Sequence, residues 1–84
     1  MRVQLELRNL PRARIMEYLA EAGGNTIDLQ SVTGSGWSAT LQPLPPAQVG
    51  SIRVPRDLLV IEGAEQRVTS IQAFMRQKTM RGGG

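Results

Sequence analysis

Within the first 24 residues the spacing of apolar side chains changes from two to about 3.6, and that change decides the class of fold. Val3, Leu5 and Leu7 alternate with Arg2, Gln4, Glu6 and Arg8, the pattern of a strand with one buried and one wetted face. Asn9-Leu10-Pro11 then reads as a helix start, since proline fits the first turn, where no N–H is needed. Ile15, Leu19 and Ala22 follow at helical spacing, with Met16 and Tyr18 widening the stripe. Gly23-Gly24 ends it, because glycine takes the left-handed conformation past a helix without strain.

The pattern then returns to strands. Residues 26–32 read as a strand with Ile27 and Leu29 inward and Asp28 and Gln30 outward. Thr33-Gly34-Ser35-Gly36 reads as a turn, and Trp37, Ala39 and Leu41 as the inward side of the next strand, giving a hairpin. Pro43-Leu44-Pro45-Pro46 reads as an extended linker, because proline cannot donate to a central ladder. Ile52 and Val54 mark a short strand broken at Pro55, and residues 58–62, apolar on both faces, a central one. Ala64-Glu65 opens a last helix whose buried stripe is Val68, Ile71 and Met75, with Phe74 beside it.

The expectation is therefore one α+β domain over residues 1–81 in the order β-α-β-β-β-β-α, with residues 82–84 a flexible glycine tail. Two helices sharing one face of an antiparallel sheet bury both apolar stripes and leave a polar face open. A ferredoxin-like arrangement is the alternative. It needs a strand after the last helix, and residues 78–84 offer none.

Composition excludes more than it proposes. There is no cysteine and no histidine, so thiolate catalysis, disulfides and the commonest metal ligands are absent. Glu17 and Glu21, four apart on a helix, read as solvated charge on its exposed side, and Asp57 and Glu62 bracket a short strand with no spacing that places them together. No catalytic residue, metal site or cofactor is expected. The first residues lack the apolar core of a signal peptide and no stretch suits a membrane span, so a cytoplasmic protein is expected.

Charge is uneven. Six arginines balance six acids up to residue 62, and the net charge of +3 comes from Arg67, Arg76, Lys78 and Arg81 against Glu65. Arg76, Lys78 and Arg81 are candidates for nucleic-acid binding, or they simply complement the dipole at a helix C-terminus. Arg53 and Arg56, flanking Pro55, suit a carboxylate or phosphate on a protein or small ligand. Trp37 is either a core residue or a stacking platform. The small residues before it resemble an anion loop, but they lead into a strand rather than a helix. An edge strand around Ile52 is compatible with a homodimer.

Two resemblances go beyond composition. Gly83-Gly84 resembles the end of ubiquitin-like sulfur carriers, whose terminal carboxylate is adenylated and then thiolated. Those carriers begin with a β-hairpin and run a strand into the tail, whereas this chain begins β-α. The element order, with residues 3–24 and Leu58-Leu59-Val60-Ile61-Glu62-Gly63-Ala64-Glu65, resembles the TBP-like accessory domain of bacterial MoaD-related proteins. That resemblance implies a non-enzymatic binding module near molybdenum-cofactor biosynthesis, and it carries over no catalytic residue.

Overall fold

A computed structural model describes the backbone of residues 1–82 and the side chains of residues 1–79. The elements are β1 (Arg2–Arg8), α1 (Arg12–Glu21), β2 (Asn25–Thr26), β3 (Ser31–Gly34), β4 (Trp37–Val49), β5 (Ile52–Gly63) and α2 (Glu65–Gly82). The five strands form one antiparallel sheet in the order β1-β5-β4-β3-β2. The α+β class and the β-α-β-β-β-β-α order are as the sequence implies. Among the described residues no strand follows α2, which separates this topology from the ferredoxin-like alternative.

Strand β5 is central. It pairs with β1 from Arg56 to Glu62 and with β4 along its whole length. Odd-numbered residues of β1, β4 and β5 point to the helices: Leu5, Leu7, Trp37, Ala39, Leu41, Leu59 and Ile61 are all buried there with Val32. α1 contributes Ile15, Met16 and Leu19, and α2 contributes Val68, Ile71 and Met75, the stripes their spacing announced. α2 lies against β1 and β5, and α1 against β2, β3 and α2. Lys78 joins the two helices, its Nζ 3.7 Å from Glu21 and over the rings of Tyr18 and Phe74.

Trp37 is part of this core, only 6 % exposed. Its indole lies over Gly34, its ladder partner, where a Cβ would overlap the ring, and close to Gly24. Gly63 meets the same strand from the other side. Its φ of 146° and its approach to the Gly36 carbonyl leave no room for a side chain.

Three expectations are corrected. Residues 26–32 are not one strand: β2 stops at Thr26, and residues 27–30 are a bend in which Asp28 Oδ1 accepts the N–H groups of Gln30 and Ser31 at 2.7 and 2.9 Å. That local bonding competes with a ladder, and Ile27 and Leu29, expected inward, are 68 % and 57 % exposed. The segments around Ile52 and Leu58 are one strand, continuous through Pro55. Residues 43–46 are no linker but part of β4. α2 runs through Gly82, and of the expected glycine tail Gly83 and Gly84 lie outside the described residues.

The prolines sit where no donor is needed. The Leu41 N–H donates to Gln30 at 2.8 Å, away from β5, so Pro43, two residues on, turns its missing N–H to the same free edge. The Pro55 carbonyl accepts from Asn9 N–H at 2.8 Å, so its nitrogen likewise faces away from β4. Pro45 and Pro46 occupy a bulge between Leu44 and Ala47. Past β3 on one side and β1 on the other, β4 and β5 continue as a two-stranded arm closed by a turn at Gly50-Ser51. The arm accounts for the elongated outline of 42 × 25 × 20 Å.

Gly34→Ala should lower stability by about 1–3 kcal/mol, the cost of forcing a methyl group into a packed site. Urea unfolding followed by Trp37 fluorescence should show a lower midpoint with an unchanged slope.

Candidate functional site

Helices cover one face of the sheet. On the other, even-numbered residues of β5 form a row: Ile52, Val54, Arg56, Leu58 and Val60. Their β4 neighbours are Val49, Ala47, Leu44, Gln42 and Thr40, and on β1 Arg8, Glu6 and Gln4. This face was expected to be polar. It is polar along β1 and the first half of β4, but an apolar stripe runs through it along β5 and onto the arm. Burial falls steadily along the stripe: Val60 is 2 % exposed in the middle of the sheet, Ile52 at the arm's end 63 %.

At the root of the arm the stripe is interrupted by an ion cluster. Arg56 grips Glu6 with two donors, Nη2 to Oε1 at 2.9 Å and Nε to Oε2 at 3.3 Å, while Arg8 Nε donates to the same Oε2. Arg56 Nη1 also reaches the Pro45 carbonyl at 3.1 Å, tying the β4 bulge to β1 across the central strand. The hydrogen bonds from Arg56, then from Arg8, hold the Glu6 carboxyl well below its ordinary value of 4.5, at about 2.

On the opposite face of the same root, Asp57 is buried and accepts from Arg12 Nε at 3.3 Å, fastening the first turn of α1 to β5. An open crevice of about 480 Å³ lies beside this pair, lined mainly by Leu10, Pro11, Pro43 and Pro55. Its walls are mainly apolar, and its acid and base are already joined to each other.

The candidate residues fare differently. Arg56 lies on the open face within the ion cluster, but Arg53 alternates to the other face of the arm, so the two do not converge. Trp37 lies at the far end of β4 with its ring in the core. Arg76 is exposed, Lys78 is engaged between the helices, and the side chain of Arg81 lies outside the described residues. Sequence reasoning missed Glu6, Arg8, Val49 and Ile52 as members of one surface. The available signal was the even-numbered run from Ile52 to Val60, legible once residues 52–63 are treated as one strand.

The Glu6 pKa fixes the sign of a pH effect. A carboxyl with a lowered folded-state pKa stabilises the fold fully above its ordinary value and loses that contribution as pH falls towards the folded value. Between about pH 4.5 and about pH 2 the wild type should therefore lose more melting temperature than Glu6→Gln, and the two curves should converge at the acid end.

No curated protein matches the sequence. Residues 3–84 match a family model described as Archaeal MoaD-like protein. The family is described as archaeal, where the resemblance had pointed to bacterial MoaD-related proteins. The match takes in every element from β1 to α2, and the chain belongs to the archaeal MoaD-like protein family.

Proposed function

We propose that this chain is a non-enzymatic protein-docking module, accessory to molybdenum-cofactor biosynthesis, and that it docks through the open face of the sheet and the arm. One observation carries the reading: an apolar stripe from Val49 and Ile52 to Val60 runs along a face that, among the described residues, no helix covers. Val49 and Ile52 contribute little to the core, yet full burial of each against a partner is worth about 2 kcal/mol. The Arg56–Glu6 grip fixes the arm relative to the sheet, so a partner would meet a surface already in shape and lose less entropy on binding. The pathway rests on the family description alone.

The test is native mass spectrometry of the tagged chain isolated from its own cells. The wild type and Ile27→Glu should emerge in an assembly heavier than one copy. Ile52→Glu should be about tenfold depleted from it, the effect of losing about 1.4 kcal/mol. Ile27 is as exposed as Ile52 but belongs to the bend after β2, so it controls for charge alone. A lone chain, or equal loss in both variants, would remove the open face as the docking surface.

A second reading is favoured by the extent of the family match, which includes Gly83 and Gly84. As a sulfur carrier the chain would bear a thiocarboxylate on Gly84. Intact mass after incubation with an activating enzyme, ATP and a sulfur donor should then show one oxygen replaced by sulfur. An unchanged mass disposes of that reading.

A further inference from the structure

We propose that the outer edge of β1 pairs with the same edge of a second copy, joining two five-stranded sheets into one continuous antiparallel sheet. This edge is separate from the docking face proposed above and rests on different observations.

The ladder bonds show which groups are free. Met1 and Gly63 exchange hydrogen bonds of 3.0 Å, and Asn9 N–H donates to the Pro55 carbonyl at 2.8 Å, so odd-numbered residues of β1 turn their main chain to β5. The N–H and C=O groups of Arg2, Gln4, Glu6 and Arg8 therefore point outward, and β1 is the last strand on its side of the sheet. Among the described residues none of these groups has a main-chain partner.

Sheets guard such an edge with proline, a bulge, an inward charge or a very short strand. The other free edges here are guarded in that way. β2, at the far side, is two residues long; Pro43, Pro45 and Pro46 remove donors along β4, and Pro55 removes one from β5. β1 has no proline, its register with β5 is unbroken from Arg2 to Arg8, and its inward side chains Val3, Leu5 and Leu7 are apolar. Its helix side is also incompletely covered, with Val3 half-buried and Met1 54 % exposed.

The side chains along the edge select the partner. A twofold axis normal to the sheet through Gln4 sets residue 4+k opposite residue 4−k of the second copy. Arg2 of each copy then faces Glu6 of the other, Gln4 faces Gln4, and on the helix side Val3 faces Leu5 and Met1 faces Leu7. An axis at Leu5 would set Arg2 against Arg8, and one at Glu6 would set two carboxylates together. Glu6 has a site for the added arginine, because among the described residues its Oε1 accepts only from Arg56 Nη2. Pairs 2–6, 4–4 and 6–2 each exchange two main-chain hydrogen bonds. α2 rests on β1 and β5, so across a strand spacing of about 4.8 Å the two α2 helices lie about 10 Å apart, the separation of packed helices. The interface is therefore two layers deep.

Sedimentation equilibrium of the purified full chain, from low micromolar to near millimolar, should show the weight-average mass rising from one copy towards two. Gln4→Pro removes an N–H that the fold does not use, and should weaken association at least about tenfold, with the melt of the dilute monomer unchanged. Arg2→Glu sets like charges opposite each other and should weaken it too. Ile52→Glu on the arm should leave it as in the wild type, so the dimer and the docking face fail separately. The chain has no cysteine, so Gln4→Cys places one thiol beside the axis. Opposed Cα atoms about 5.5 Å apart suit a disulfide, and mild oxidation should double the mass, whereas Gln42→Cys on the same face should stay single. A monomer throughout overturns the proposal. So does a dimer indifferent to Gln4→Pro, or one that forms no disulfide through residue 4. A purified monomer that another protein captures in cells through Gln4 also overturns it, and gives the edge to that protein's strand.

Discussion

The structure depends on one strand having neighbours on both edges and apolar side chains on both faces. β5 pairs with β1 and β4, Leu59 and Ile61 are fully buried under the helices, and Leu58 and Val60 point the other way. Central placement satisfies its backbone groups in the ladder, leaving side chains to decide what each face does. With β5 fixed, β1 and β4 are in register by antiparallel pairing, and odd-numbered residues of all three make one dry surface. The helices lie on that surface because their stripes have nowhere else to be buried.

Length is the second consequence of this arrangement. β4 and β5 are 13 and 12 residues, while β1 is 7 and β3 is 4, so the two long strands must leave the sheet together. A two-stranded ribbon is marginal on its own. Here it is braced at the root from both faces, by Arg56 with Glu6 and the Pro45 carbonyl on one side and by Asp57 with Arg12 on the other. Adjacent residues of one strand thus hold β1 and α1, an outcome of the period-two alternation alone.

Much of this was legible in sequence. The alternation of Val3, Leu5 and Leu7 and the stripes of Ile15, Leu19, Val68, Ile71 and Met75 announced the sheet's dry face and its cover, because local period and tertiary burial agree there. Residues 27–30 misled because Ile27 and Leu29 alternate as a strand would, while Asp28 turns the backbone with its own carboxylate. Proline misled in the other direction. Locally it reads as the end of a strand, but a missing N–H harms a strand only on an edge that is paired, and pairing is not local information. For the same reason Arg53 and Arg56 looked like neighbours. Once residues 52–63 are one strand, an odd separation puts them on opposite faces.

Parity also explains why the apolar stripe on the open face had to be read from the structure. In a chain with a simple wetted face, the even positions of β5 would be polar like those of β1, where Arg2, Gln4, Glu6 and Arg8 meet water. A central strand can hold Leu58 and Val60 there, because its neighbours shelter them. The arm has no such neighbours, and Val49 and Ile52 keep the same apolar character with solvent around them. Burial in the monomer therefore accounts for the inner half of the stripe and not for the outer half. Under the proposed docking role the outer half packs against a partner, and the prolines at 43, 45, 46 and 55 reduce the edge donors beside the arm, which favours approach to its face over its side.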